Sequence, residues 1–133
     1  MRHRWVAAVV LLAASTGCFS ARTVTVRADA GSAHLAPGEA LRVELGAVNS
    51  SIGDAWFLTT PPDGAVLRDR GRLYRGDCDA PGCGGKLTWE FTAAGKGTTT
   101  VVFRYCYRST VDRCDTGPGR GPAAPVNLTV TVR

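Results

Sequence analysis

The chain has 133 residues, with 44% hydrophobic and 20% charged side chains. This balance excludes both a multidomain protein and a polar disordered chain. The formal charge is +5, but Arg2 and Arg4 fall in a leader, so a chain beginning at Cys18 carries 14 basic against 11 acidic residues, a net +3. So small and dispersed an excess argues against a nucleic-acid partner.

Met1-Arg2-His3-Arg4 forms a basic start, Trp5 to Ala14 a ten-residue apolar run, and Ser15-Thr16-Gly17-Cys18 a stretch of small residues. That order is a secretory signal. The apolar run falls well short of the roughly 20 residues that cross a bilayer. The stretch ending in Cys18 also resembles a bacterial lipobox, with Ser15 in place of the usual leucine. That resemblance implies a lipid on Cys18, which becomes the new N-terminus. The expected organisation is a lipoprotein-type signal peptide over 1–17, a short linker over 18–22 and one domain over 23–133. The protein would be exported and held at the bacterial cell envelope through Cys18; with an ordinary signal peptide cleaved nearby it would be secreted instead.

Setting Cys18 aside leaves Cys78, Cys83, Cys106 and Cys114, an even number in a chain bound for an oxidising compartment, and two disulfides follow. Of the three possible connectivities, spacing favours the local pairs, Cys78 with Cys83 and Cys106 with Cys114. Short loops of this kind contribute about 2 to 3 kcal/mol each in the chain-entropy model. Neither pair has the two-residue spacing of common zinc knuckles, so no metal is expected.

After the leader, apolar residues alternate with polar ones: Val24 and Val26; Leu41, Val43 and Leu45; Leu87, Trp89 and Phe91; Val126, Leu128, Val130 and Val132. Period two marks half-buried strands. Pro37-Gly38, Pro61-Pro62-Asp63-Gly64 and Gly95-Lys96-Gly97 punctuate them, and no segment sustains a helical period. The chain is therefore all-β, with about seven strands near 22–28, 40–47, 54–60, 65–75, 86–93, 98–106 and 125–132. That number and spacing predict an immunoglobulin-like β-sandwich. Arg68-Asp69-Arg70-Gly71-Arg72 reads as a solvated hairpin, and Thr116 to Pro125, rich in glycine and proline, as a connection.

Catalysis finds little support. Beyond the leader only His34 remains to serve as a general base, its neighbours are bland, and no spacing groups the carboxylates. Neither an enzyme nor a cofactor is expected. Binding is the better reading, and three loop segments carry it: Asn49-Ser50-Ser51-Ile52-Gly53 ahead of Trp56, Gly82-Cys83-Gly84-Gly85, and Tyr107-Arg108 within the stretch bounded by Cys106 and Cys114. In a sandwich of this order the three would gather at one end. Glycine-lined loops can enter a cleft, while aromatic and arginine side chains anchor interfaces. Taken singly, each residue also has a local explanation. Trp56 suits the core, Asn49 its own turn, Gly84-Gly85 a hairpin and Tyr107 a sheet edge.

These segments resemble those of the chagasin family, small immunoglobulin-like inhibitors of papain-like cysteine proteases. The family carries an Asn-Pro-Thr-Thr-Gly loop closely followed by Trp, a Gly-x-Gly-Gly loop, then an Arg-Pro-Trp loop. Asn49, Gly53 and Trp56 match the first, and Gly82, Gly84 and Gly85 match the second completely. Pro37-Gly38-Glu39 and Thr92-Ala93-Ala94-Gly95 look alike as well, and the resemblance runs from about residue 23 to the C-terminus. Ser50, Ser51 and Ile52 depart from the first motif, Asp54 stands where an aromatic is common, and Tyr107-Arg108 stands in place of Arg-Pro-Trp.

The resemblance implies a monomeric inhibitor whose loops fill the protease cleft without chemistry. Ser51, Ile52 and Gly53 would lie over the catalytic cysteine, Gly84 and Gly85 would approach beside it, and Tyr107 and Arg108 would flank the other side. The missing Arg-Pro-Trp leaves an alternative, a non-inhibitory surface-anchored immunoglobulin-like module used for binding or adhesion.

Overall fold

The computed structural model describes residues 20–108, 114 and 124–133. The leader and Cys18 lie outside the described residues, as does most of the connection over 116–125.

The chain folds as two four-stranded sheets packed face to face. The first has the order β1 (Thr23–Arg27), β3 (Ala40–Val48), β6 (Gly85–Ala93), β5 (Leu67–Gly76). The second has the order β2 (Ser32–Leu35), β8 (Val126–Val132), β7 (Gly97–Cys106), β4 (Ala55–Thr60). The alternating residues close the core between them: Leu41 and Val43 of β3, Leu87 and Phe91 of β6, Val101 and Phe103 of β7, and Leu128, Val130 and Val132 of β8 are all buried. Phe103 is central to this layer, 6.3 Å from the ring of Phe91 and 5.8 Å from that of Trp89.

The described residues form eight strands where the sequence reading counts about seven. The additional one, Ser32–Leu35, has only four residues and buries only Ala33 and Leu35. It is held by parallel pairing with the far end of the chain, Ser32 with Thr129 through Leu35 with Val132. β1 likewise runs parallel to β3, Thr23 opposite Ala40 and Arg27 opposite Glu44. Parallel neighbours need a crossover between them, and residues 28–39 provide it: the turn at Ala28–Ala30 carries the chain to the other sheet, β2 runs there, and the chain returns at Ala40.

Arg68-Asp69-Arg70-Gly71-Arg72 is not a hairpin. It lies within β5, where the register with β6 shifts between Asp69 and Gly71. The Asp69 carboxylate accepts both the Gly71 amide, at 2.8 Å, and the Trp89 indole N–H, at 2.7 Å. A bulge flanked by arginines on an edge strand discourages pairing with another chain. A second bulge, between Glu44 and Gly46 of β3, positions the functional end. Up to Leu45 the odd-numbered residues point inward; after the extra residue Val48 does, and it is buried opposite Gly85. Gly46 takes φ +88°, a conformation that favours glycine.

Candidate functional site

The segment 49–54 crosses from one sheet to the other. It leaves β3 at Val48, which pairs with Gly85, and enters β4 at Ala55, which pairs with Cys106. This connectivity brings the three loop segments singled out in the sequence to one end of the sandwich. Asn49–Gly53 lies between Gly84 on one side, whose Cβ position would be 3.5 Å from the Val48 carbonyl oxygen, and Arg108 on the other, whose Cα is 3.5 Å from the Cβ position of Gly53.

The first loop is built on a single 3-10 turn, Ser50–Ile52. The Asn49 carbonyl accepts the amides of Ile52, at 3.3 Å, and Asp54, at 3.2 Å, and the Ser50 carbonyl accepts that of Gly53, at 3.1 Å. Gly53 ends the turn in the left-handed region at φ +88°, so the glycine here is a conformational requirement. The Asn49 side-chain oxygen is buried and has no hydrogen-bond partner among the described residues; the turn is held by its backbone, not by that amide. Ser50, Ser51 and Ile52 are exposed, and Ile52 presents an apolar side chain, 39% accessible, at the tip.

The second loop joins β5 to β6 and is closed by the Cys78–Cys83 disulfide, with Cα atoms 5.8 Å apart. The Asp77 amide donates to the Gly84 carbonyl at 2.9 Å, continuing the hairpin beyond the last strand pair. Its glycines differ in role. Gly82 is exposed with φ +86° and nothing near its Cβ position. Gly84 is half-buried and would make only ordinary contacts there. Gly85 is buried in β6, and a Cβ would stand 2.5 Å from both the Arg75 carbonyl oxygen and the Tyr74 ring. The Tyr74 ring thus covers a glycine on the neighbouring strand, a packing device that firms up sheet edges. Gly85→Ala is expected to cost about 1 to 3 kcal/mol through overpacking, read as a lower urea midpoint at unchanged m-value.

The third loop follows β7. The Cys106–Cys114 disulfide, Cα atoms 4.9 Å apart, closes it, so both local pairings favoured by spacing are formed. The Arg108 guanidinium lies 5.2 Å from the centroid of the Tyr107 ring, within cation–π range. Arg108 has φ +48°, the one described non-glycine residue in the positive region.

Sequence reasoning missed the residue that links the first loop to the third. Asp54 is 5% exposed. The Tyr105 hydroxyl donates to its Oδ2, and the Arg108 amide donates to its Oδ1 at 3.2 Å. A buried carboxylate must be hydrogen-bonded. The available signal was an acidic residue directly before a strand start, at a position where the resembling family favours an aromatic.

Trp56 is half-buried at the margin of the core instead of at its centre, edge-on to Tyr105 with centroids 5.3 Å apart. His34 is exposed on β2, with Nδ1 3.3 Å from the Arg133 guanidinium. Its strand pairs with the end of β8 near Gly97, away from the loops.

A comparison with protein families matches residues 34–116, more than half of the chain, to the chagasin family peptidase inhibitor I42. The chain belongs to the chagasin family of peptidase inhibitors. Solved structures agree on the immunoglobulin-like chagasin fold. The cysteine protease inhibitor EhICP2 from Entamoeba histolytica superposes with a TM-score of 0.60 at 15% identity, covering 86% of this chain and 98% of that one. The solution structure of amebosin gives 0.59 at 19% identity, covering 84% and 98%. PbICP-C, solved in complex with falcipain-2, gives 0.50 at 14% identity, covering 85% and 91%. Among curated proteins no match is found.

Proposed function

We propose that this family member is a reversible inhibitor of papain-like cysteine proteases that blocks the active-site cleft with Asn49–Gly53, Gly82–Gly85 and Tyr107–Arg108. The observation that carries the reading is the meeting of these loops at one end, with the Arg108 Cα 3.5 Å from the Cβ position of Gly53 and Gly84 beside Val48. The family membership and PbICP-C, a relative in fold solved bound to falcipain-2, support a protease partner. Two disulfides and the Asp54 hydrogen bonds hold the loops before binding, which lowers the ordering cost of association. Ile52 supplies the apolar contact at the tip, and Gly84 allows close backbone approach beside it. A standard interface of about 800 Å² per partner is within reach of three loops.

The test is a titration of papain with the oxidised protein, following peptide hydrolysis and the integrity of the inhibitor chain. Saturable inhibition with an uncleaved chain is the expected result. Absence of inhibition at high micromolar concentration by folded protein would refute it and favour the surface-module reading, which rests on Tyr107-Arg108 standing where the family has Arg-Pro-Trp. We further propose a monomer tethered to the cell envelope through a lipid on Cys18. An unmodified N-terminus other than Cys18, found by mass spectrometry of the native protein, would sink the tether.

A further inference from the structure

We propose that Asp54 is a positioning residue whose carboxylate joins the first and third loops into one rigid unit. Its effect on inhibition rests on the inhibitor reading above; the join itself does not. Asp54 is the last residue before β4, whereas Tyr105 and Arg108 lie at and beyond the end of β7, more than 50 positions along the chain. One carboxylate takes both: Oδ2 accepts the Tyr105 hydroxyl and Oδ1 the Arg108 amide. Edge-on packing against Trp56 of β4 fixes the direction from which the Tyr105 ring arrives.

The second bond has a conformational consequence. Arg108 sits at φ +48°, a region that non-glycine residues disfavour by about 1 kcal/mol or more. The hydrogen bond from its amide to the Asp54 carboxylate, at 3.2 Å, is of the same order and offsets that cost. Asp54 therefore selects the backbone conformation that brings the Arg108 Cα to the Cβ position of Gly53. With this carboxylate removed, the third loop keeps its disulfide and the pairing of Cys106 with Ala55 but loses the hydrogen bond that fixes Arg108 against the first. The Tyr107–Arg108 pair would then reach a protease from a range of positions, and the ordering cost would fall on the binding step.

The experiment compares wild type with Asp54→Ala, Asp54→Asn and Tyr105→Phe by amide hydrogen exchange of Arg108 and by inhibition of papain. A core variant, Val130→Ala, controls for loss of stability alone. In Asp54→Ala the Arg108 amide is expected to exchange at least about tenfold faster, and the inhibition constant to rise on the order of 10- to 100-fold. Asp54→Asn keeps an oxygen acceptor and should restore most of both. Val130→Ala should move neither while the protein is folded. Unchanged Arg108 exchange in Asp54→Ala, or faster exchange with unchanged inhibition, overturns the proposal. If Asp54→Ala does not fold, Tyr105→Phe, which removes the hydroxyl that holds Oδ2, takes its place: Arg108 exchange is expected to quicken by about a few-fold, and unchanged exchange overturns the proposal. If wild type fails to inhibit papain, the inhibitor reading falls, and the Arg108 exchange rates alone decide whether Asp54 joins the loops.

Discussion

Gly84→Trp is expected to weaken papain inhibition by about 100-fold or more while leaving the thermal midpoint nearly unchanged. The separation of the two effects follows from the local geometry. Gly84 is not in the left-handed region, and the atoms nearest its Cβ position are the Val48 carbonyl oxygen at 3.5 Å and an Asp77 carboxylate oxygen at 3.8 Å, both at ordinary contact distance. A side chain can therefore be accommodated on the loop, and the Asp77 to Gly84 hydrogen bond, being backbone, is retained. On the proposed contact surface, the indole would occupy the space through which the loop backbone approaches a protease. Gly84→Ala, adding one methyl, should cost only a few-fold. Gly85→Ala separates the effects in the opposite sense, because its methyl collides inside the sheet. Wild-type inhibition by Gly84→Trp in an inhibition assay with papain would remove the second loop from the proposed contact surface.

Phe103→Ala is expected to destabilise the fold by about 3 to 5 kcal/mol, the range for emptying a buried aromatic site. Phe103 has no accessible surface, sits opposite Leu58 of β4 and Val126 of β8, and packs against Phe91 and Trp89 of the facing sheet. It thus contacts both flanking strands and the layer across, so no single neighbour can move in to fill the space. For a domain of this size that loss lowers the melting temperature by roughly 10 to 20 °C. Differential scanning calorimetry with both disulfides intact would measure it. A fall of less than about 1 kcal/mol would mean that the two sheets close over the gap.

The strands with strict alternation were legible because their burial follows period two without interruption. Leu87, Trp89 and Phe91 of β6 and Leu128, Val130 and Val132 of β8 face the core as the pattern predicts. The local cysteine pairs were legible too, since short separation favours their closure. β2 was not: two apolar residues in four do not make a period, and its stability comes from β8, almost a hundred residues away. The bulge in β3 was hidden for a related reason. A one-residue insertion reverses which parity faces inward, so Val48, buried opposite Gly85, breaks the alternation that Leu41, Val43 and Leu45 establish. In β5, Gly71 between arginines looks like a turn, but antiparallel pairing with β6 overrides it. The three loops were readable from their glycines and their order. Asp54 was visible as an acidic residue, but its role depends on Tyr105 and Arg108, which only the register of β4 with β7 brings alongside it.

The parallel pairing of β1 with β3 also determines how the molecule can be held. Thr23 is level with Ala40, while the loops begin beyond Val48, eight residues further along β3 and so roughly 26 Å away at about 3.3 Å per residue. Arg133 is at Thr23's end of the sandwich, its amide donating to the Leu35 carbonyl at 3.0 Å. A support grafted at either of these two residues grips the foot of the sandwich and leaves its crown facing outward. A lipid at Cys18 would do the same, presenting the loops to enzymes arriving from the medium instead of to those lying flat in the same membrane.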